Sequence, residues 1–215
     1  MRSFSNPLSI VLPHDSPAPT HILKRVCVFC GSSQGIHPAY RRAAQQMGTA
    51  LVRRGLGLVY GGGGIGLMKV LADAVLAAGG EAIGIMPEAL MTKELAHAGL
   101  TELRVVRSMH ERKAVMVDLA DAFVALPGGY GTLEEFCEVL TWAQLGIHRK
   151  PCGLLNVDGY YDHLRAHFDH LVSQGFLNTV TRSLVLEARE PDTLLDALSR
   201  YQSPITEQWI EKEET

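Results

Sequence analysis

One stretch of the sequence decides the fold: Leu126-Pro127-Gly128-Gly129-Tyr130-Gly131-Thr132-Leu133-Glu134-Glu135. An apolar run of strand length precedes it at 121–125, and residues 136–140 continue it as an amphipathic helix. The glycines therefore fall where a buried strand turns into a helix, and glycine lets a backbone approach a ligand closely. The free N–H groups at the start of such a helix favour an anion such as phosphate.

Two side chains in this stretch indicate what the anion site is for. Thr132 places a hydroxyl beside the anion, and Glu135 lies about one helical turn further in, so it can face the same pocket. A carboxylate repels a phosphate group, so Glu135 does not serve phosphate affinity. It indicates chemistry on another part of the ligand.

Strand-like and helix-like segments alternate along the chain on both sides of this stretch. The apolar runs predict strands at 24–29, 58–60, 81–86, 101–106, 121–126 and 151–157, and a possible edge strand at 184–188. The amphipathic runs predict helices at 38–54, 67–78, 109–119, 131–145, 160–173 and 191–201. This alternation is typical of an α/β protein with a Rossmann-like, doubly wound parallel sheet in a single domain. Such sheets bind ligands beyond the carboxyl ends of their strands.

The predicted organisation is simple, because 215 residues suit one domain with a sizeable core. Residues 1–23 carry four prolines among small polar residues and are predicted to form a flexible extension. The folded, nucleotide-binding domain is expected at 24–201, followed by a polar C-terminal tail at 202–215.

Charge and hydropathy exclude several classes of partner. Lys plus Arg number 20 and Asp plus Glu number 23, so the formal net charge is −3. Without a basic surplus we expect no nucleic acid and no membrane surface as a partner. No apolar run approaches the roughly 18 residues of a membrane span. The apolar patch at 8–12 is too short for a secretory signal, so we expect a cytoplasmic protein.

Two patterns raise the question of a metal site. Cys27 and Cys30 form a C-x-x-C pair, but they lie on a predicted strand, where residues three apart point to opposite faces. We therefore expect buried, reduced cysteines, with a disulfide or metal site as the alternative. His163, His167 and His170 share a helix at metal-binding spacings, but no acidic cluster accompanies them. An exposed polar face is the preferred interpretation, and no metal is expected.

A second glycine-rich turn follows the second predicted strand. Gly61, Gly63 and Gly66 match G-x-G-x-x-G, a pattern found at dinucleotide sites. That pattern normally follows the first strand, with an acidic residue roughly 20 positions later at the end of the next strand. Glu81 has the right distance but begins its strand. The turn is therefore open to three interpretations: a mononucleotide site, a tight packing turn, or a dinucleotide site.

Another candidate is the helix start Met109-His110-Glu111-Arg112-Lys113, which Ser108 can cap. Cations in the first turns of a helix are unfavourable against its dipole, so their presence needs a reason. Either Arg112 and Lys113 are paired at a solvated helix end, or they face the nucleotide. Arginine suits phosphate and sugar oxygens because its planar guanidinium can donate two parallel hydrogen bonds.

The combination of these motifs closely resembles the Lonely Guy (LOG) family of cytokinin-activating phosphoribohydrolases, over about residues 24–201. Members of this family often carry the label "lysine decarboxylase" because of the same signature. The motifs that carry the resemblance are Pro127-Gly128-Gly129-x-Gly131-Thr132-x-x-Glu135, Met109-His110-x-Arg112-Lys113, Cys30-Gly31-Ser32-Ser33, Tyr60-Gly61-Gly62-Gly63-Gly64-Ile65-Gly66-Leu67-Met68 and Thr141-Trp142-Ala143-Gln144-Leu145-Gly146-Ile147-His148.

This resemblance implies hydrolysis of N6-modified adenosine 5′-monophosphates, and of AMP, to free base and ribose 5-phosphate. It implies no cofactor and no metal, a small-molecule nucleotide as substrate, and a homodimer with the pocket near the subunit interface. The family's catalytic positions correspond to Arg112 and Glu135. Its substrate contacts correspond to Glu94, Arg112, Lys113, Gly129, Tyr130, Gly131, Thr132, Leu133, Glu134, Glu135 and Thr141. We add as possible pocket residues Gly31, Ser32, Gly61, Gly62, Gly63 and Met109.

Other interpretations remain open from the sequence. Thr141 can reach the pocket rim or serve helix packing. A nucleotide carrier or molybdenum-cofactor carrier on the same fold would bind without turnover, but it would need no carboxylate at the glycosidic bond. Lysine decarboxylation normally requires pyridoxal phosphate on a lysine, and no residue here argues for that cofactor.

Overall fold

The computed structural model of the protein describes residues 23–91 and 96–205. Its seven strands are β1 (Arg25–Phe29), β2 (Gly57–Tyr60), β3 (Ala82–Pro87), β4 (Glu102–Val106), β5 (Ala122–Ala125), β6 (Cys152–Leu155) and β7 (Val185–Ala188). They form one sheet in the order β4-β3-β2-β1-β5-β6-β7, and every pairing is parallel. The predicted parallel sheet is confirmed, including β7 at one edge.

Helices connect the strands. They are α1 (Pro38–Arg53), α2 (Gly66–Ala77), α3 (Met109–Leu119), α4 (Tyr130–Gln144), α5 (Asp162–Ser173), α6 (Thr179–Arg182) and α7 (Pro191–Ser199). The sequence patterns missed α6 and the short 3-10 helix Val157–Gly159, and a second short 3-10 helix is Glu88–Leu90. The other helices agree with the predicted ranges to within about two residues, and the hydroxyl of Ser108 accepts from the Glu111 N–H at 3.1 Å, as its predicted cap role requires.

The helices cover both faces of the sheet. One apolar core joins the sheet to α1, α2 and α7, and the second joins it to α3 and α4. Cys27 belongs to the second core and Cys30 to the first, so the pair points to opposite faces, as the strand period predicts. Both thiols are buried and free. The fold is therefore doubly wound, as the sequence predicts.

The strand order places a crevice beside β1. From β1 the chain moves outward to β4 and then returns to place β5 on the other side of β1. The loops after β1 and β5 consequently run in opposite directions from the same edge of the sheet. The crevice between two such loops is where ligands bind in this class of fold. Phe29 is paired with Ala125 at the ends of these strands, so the two loops meet, and Gly31 N–H donates to the Pro127 carbonyl at 3.1 Å.

Several predicted features fall partly or wholly outside the described residues. The predicted extension is described only from residue 23, and the predicted tail only up to residue 205. The gap at 92–95 includes Glu94. The three histidines of α5 are exposed, which confirms the predicted polar face.

Candidate active site

A buried ion pair lies at the carboxyl edge of the sheet. Arg112 Nη1 is 3.3 Å from Glu135 Oε1. The two residues are only 7% and 9% exposed. Arg112 comes from the first turn of α3 and Glu135 from the second turn of α4, so the pair joins two helices on the same face of the sheet. Burying two charges is costly unless each is paired and hydrogen-bonded, so the pair requires support from its surroundings.

Two strands fix the guanidinium of Arg112. Its Nε donates to the Ile85 carbonyl on β3 at 3.1 Å. On the other side it rests on Gly61, directly after β2, where a Cβ atom would overlap Nη2. Glycine at position 61 therefore makes the space in which the guanidinium sits. The rest of the turn serves packing: Gly62 has a φ of +78°, and its carbonyl accepts from the His97 N–H at 3.1 Å.

The predicted anion cradle lies at the start of α4. Gly129 is the N-cap, and the N–H groups of the first turn have no partner within their own helix. Thr132 is buried, with its hydroxyl against Gly128, where a Cβ atom would overlap Oγ1. Glycine at position 128 therefore allows the loop to close over the Thr132 side chain. Glu135 lies three residues beyond Thr132 on the same helix, so the cradle and the carboxylate are adjacent.

A cavity of about 290 Å³ opens beside this cradle at the β1–β5 crevice. Gly31, Ser32 and Gly128 line it, together with the rings of Tyr40 and Tyr160. The second glycine-rich turn packs against its wall, since a Cβ atom at Gly66, whose φ is +61°, would overlap the Ser32 backbone. The loop at 31–33 and the glycine-rich turns at 61–66 and 128–132 thus meet at one place.

The structure argues against a dinucleotide site at the Gly61–Gly66 turn. Glu81, the acidic residue at the expected distance, forms an ion pair with Arg25 at 2.7 Å. Arg25 begins β1 and Glu81 immediately precedes β3, so this pair lies at the amino edge of the sheet, opposite the cavity. The carboxylate is therefore in the wrong place to contact a ribose bound at the crevice.

Lys113 is held by two carboxylates of α4. Its Nζ lies 2.6 Å from Glu134 Oε1 and 2.9 Å from Glu138 Oε1. Burial lowers the pKa of Lys113, but the hydrogen bonds that Lys113 donates to the two glutamates, with their negative charges, outweigh burial and raise its pKa above the ordinary value. The sequence left open whether Lys113 is paired or faces the nucleotide. In the structure it is paired, and it links α3 to α4.

The other predicted site residues do not all converge. Gly129, Gly131 and Tyr130 are exposed at the start of α4, and Leu133 packs partly into the core. Thr141 donates to the Cys137 carbonyl at 2.8 Å and lines a different, largely apolar cavity of about 150 Å³ between α4, α5 and α6. Glu94 lies in the gap that the structure does not describe.

Sequence reasoning missed two tyrosines that hold the cradle. Tyr160 donates from its hydroxyl to the Gly128 carbonyl, and Tyr161 donates to the Leu126 carbonyl, each at 2.6 Å. The sequence signal for them is a pair of aromatic residues shortly after β6, at the same edge of the sheet as the cavity. On sequence alone these residues only began a helix.

Over 23–91 and 96–205, no group of three or more His, Cys, Asp or Glu side chains is arranged to hold a metal ion. Within the same ranges, no helix combines the length and the hydropathy that crossing a membrane requires.

Comparisons with known proteins show which family the chain is similar to. A family model described as "possible lysine decarboxylase" matches residues 68–198. Cytokinin riboside 5′-monophosphate phosphoribohydrolase LOG7 of Arabidopsis thaliana is 50% identical over 86% of this chain and 85% of its own length. Probable cytokinin riboside 5′-monophosphate phosphoribohydrolase LOGL9 of Oryza sativa subsp. japonica is 55% identical over 83% of this chain and 78% of its own length.

Solved structures with the same fold include two that concern the molybdenum cofactor. The molybdenum cofactor carrier protein of Chlamydomonas reinhardtii has a TM-score of 0.62 at 19% identity, covering 82% of this chain and 96% of that chain. The molybdenum cofactor binding protein of Rippkaea orientalis has a TM-score of 0.60 at 24% identity, covering 80% and 94%. At these identities the likeness concerns the fold alone.

Proposed function

This chain belongs to the LOG family of cytokinin riboside 5′-monophosphate phosphoribohydrolases, and we propose that it is an N-glycosyl hydrolase acting on N6-modified adenosine 5′-monophosphates and on AMP. The products are the free base and ribose 5-phosphate. The observation that carries the proposal is the buried Arg112–Glu135 pair beside the amide-lined start of α4. It combines a phosphate cradle with a carboxylate that phosphate binding does not need.

The cradle holds the 5′-phosphate. The unpartnered N–H groups at the start of α4 and the positive end of its dipole favour the phosphate oxygens. The Thr132 hydroxyl lies in the same turn and adds a further donor. A phosphate fixed at this point places the ribose toward the second turn of α4, where Glu135 lies. Holding the substrate at its phosphate therefore orients the sugar for reaction.

Glu135 acts on the sugar. Cleavage of the C1′–N bond gives the ribose ring an oxocarbenium-like positive charge in the transition state, as in glycoside hydrolysis. A buried carboxylate stabilises that charge or orients the attacking water. The water oxygen bonds to C1′, the electron pair of the broken bond leaves with the base, and one proton ends on the base. No oxidant or further reactant is needed.

Arg112 positions the carboxylate and contacts the substrate. Its guanidinium is fixed by the Ile85 carbonyl and by the space above Gly61, so it presents a rigid set of donors beside Glu135. A planar guanidinium suits ribose hydroxyls and phosphate oxygens. We assign Arg112 and Glu135 as the catalytic residues on this basis, and we keep Glu94 as a substrate contact that the family resemblance implies.

The test compares four substrates with purified protein: AMP, isopentenyl-AMP, adenosine and isopentenyladenosine. Release of free base is measured by chromatography. We expect turnover of the two monophosphates and none of the nucleosides, because the nucleosides lack the group that the cradle binds. Equal turnover of nucleosides would remove the cradle from the mechanism, and no release from either monophosphate would reject the hydrolase.

A matched pair of variants tests the carboxylate. Glu135→Gln keeps the side-chain shape but removes the charge, so turnover should fall by at least about 100-fold while AMP binding persists. Glu138→Gln makes the same chemical change one turn further along α4, where the carboxylate pairs with Lys113, and should keep near wild-type turnover. If Glu135→Gln hydrolyses AMP as fast as wild type, the catalytic assignment is wrong.

We also propose a cytoplasmic homodimer. Exposed apolar side chains support the association, since Phe176 is 85% exposed and Val180 is 48% exposed near the apolar cavity of α4, α5 and α6. The four free cysteines suit a reducing compartment. Light scattering on the protein as it elutes from a size-exclusion column tests the homodimer, and the position of a fluorescent fusion in cells tests the cytoplasmic location. A monomer at micromolar concentration, or exclusion from the cytoplasm, would reject the corresponding part.

A further inference from the structure

The peptide carbonyls of the turn after β5 are all held by donors. Leu126 O accepts from the Tyr161 hydroxyl, Gly128 O accepts from the Tyr160 hydroxyl, and Pro127 O accepts from a backbone N–H of the β1 loop. Gly129 O accepts from within α4. An oxygen that is bound to a donor is fixed in direction. The turn that begins the phosphate cradle thus has no carbonyl left to rotate freely.

The hydrogen bond from Tyr160 matters most, because it fixes the Gly128–Gly129 peptide, the one peptide unit of this turn that joins two glycines. In a trans peptide the carbonyl of Gly128 and the N–H of Gly129 point in opposite directions. With the carbonyl held on the side of Tyr160, the N–H must lie on the other side. Glycine populates positive and negative φ with similar ease, so a Gly-Gly peptide can turn over at little cost unless something holds it.

We propose that Tyr160 is a positioning residue that prevents this peptide from turning over, and so keeps a carbonyl oxygen from facing the phosphate of the substrate. This inference rests on the proposed function, since it concerns the same phosphate cradle. A carbonyl oxygen turned toward a phosphate replaces an attractive donor with a repulsive partial charge. The hydroxyl of Tyr160 therefore contributes to affinity for the phosphate part of the ligand and not for its base.

The surroundings of Tyr160 are built to present this hydroxyl. Its ring contacts Tyr40 and Tyr161 edge-on, with centroids 5.4 Å and 4.9 Å apart. The segment just before it is fixed by Asn156, which is fully buried and accepts from the Tyr161 N–H at 2.7 Å. The chain reaches this position through Asp158, whose φ of 52° is rare for a residue with a side chain.

Tyr161 supports the same turn from inside the core. It is 1% exposed, and its hydroxyl fixes the last carbonyl before Pro127. Burial raises the pKa of the Tyr161 hydroxyl well above its usual value, so the group remains a donor at every physiological pH. Tyr160 is 39% exposed and lines the cavity, which makes it the better residue to change without harming the fold.

The experiment measures binding of ribose 5-phosphate by isothermal titration calorimetry to wild type, Tyr160→Phe and Tyr201→Phe. Tyr201 is the matched control because it is also a tyrosine whose hydroxyl is hydrogen-bonded, in its case to Ser203. It is buried, at 7% exposed, and packs in the separate apolar cluster beyond α7. We expect Tyr160→Phe to weaken ribose 5-phosphate binding by about five- to tenfold. Tyr201→Phe should change it by less than about twofold.

A second readout separates positioning from general damage. Adenine carries no phosphate, so its inhibition constant against AMP hydrolysis should be the same in wild type and Tyr160→Phe. Unchanged ribose 5-phosphate affinity in Tyr160→Phe would overturn the proposal, and so would an equal loss of adenine affinity. Wild type that binds ribose 5-phosphate without hydrolysing AMP would instead reject the proposed function, and the binding comparison would still decide the role of Tyr160.

Discussion

Replacing Gly61 with alanine tests whether the space left by the absent side chain at position 61 sets the position of the Arg112 guanidinium. Gly61 has no positive φ, so an alanine can adopt its backbone conformation without strain. The added methyl group would overlap Nη2 of Arg112 and lie 3.3 Å from Cζ. Non-bonded heavy atoms prefer separations of about 3.5–4.0 Å, so the guanidinium must move by roughly 1 Å or more.

Such a movement breaks the geometry on which the site depends. The contacts from Arg112 to the Ile85 carbonyl at 3.1 Å and to Glu135 at 3.3 Å cannot both survive it. A misplacement of about 1 Å near a reacting centre can cost on the order of 100-fold in rate, which corresponds to about 2.7 kcal/mol of transition-state stabilisation. We therefore expect kcat/KM for AMP to fall about 100-fold in Gly61→Ala.

The assay is steady-state release of adenine from AMP, with thermal unfolding measured on the same preparations. Gly99→Ala is the matched control, because its Cβ atom would make only an ordinary contact at 3.5 Å, and it also lacks a positive φ. It should retain wild-type kcat/KM within about twofold. If Gly61→Ala stays within about threefold of wild type while Arg112→Ala is inactive, then Gly61 does not set the position of Arg112 and the reasoning is refuted.

Three further predictions concern other parts of the structure. Burial lowers the pKa of His148 from 6.5 to about 4. As the pH falls, the unfolded chain therefore takes up the proton before the folded one, and the free energy of unfolding should fall by up to about 3 kcal/mol between pH 6.5 and 4. Urea unfolding should show this loss in wild type and not in His148→Gln. Lys113→Met leaves Glu134 and Glu138 facing each other without their cation; the melting temperature should fall by several degrees, and a fall no larger than that of Glu138→Gln would contradict the linking role. In the native protein a thiol reagent should modify Cys137 alone, since its side chain is exposed and the other three cysteines are buried; mass spectrometry showing early modification of Cys27, Cys30 or Cys152 would contradict this burial.

The fold was predictable because local pattern and overall topology agree. The run 122–125 is short and fully apolar, as a strand covered on both faces must be. The helix from Met109 to Leu119 was predicted to the residue because a serine cap precedes it and Asp121 separates it from the apolar strand that follows. The helix Thr179–Arg182 was missed because four residues are too few to show a helical period.

The site was only partly predictable, for a physical reason. The sequence marks glycines and charges, but it does not tell which groups from distant segments share a space. Lys113 and Arg112 are neighbours in the same helix turn, and the sequence leaves open whether they are paired at the helix end or face the nucleotide. The structure brings one against Glu135 and the other against Glu134 and Glu138. The two cations are adjacent in the chain, but they pair with different carboxylates of α4, and the sequence alone does not show which pairing each will make.

The glycines of the site are better explained by what enters their space than by the conformations they adopt. At Gly61 the group that enters is the Arg112 guanidinium, and at Gly128 it is the Thr132 hydroxyl. Each of these groups comes from another turn of the chain, so each glycine joins two segments that a side chain would keep apart. The cost of a substitution should therefore appear in the displaced partner and not in the strand that carries the glycine. Activity should then fall more than stability does, which is the opposite of what a purely conformational role for glycine would give.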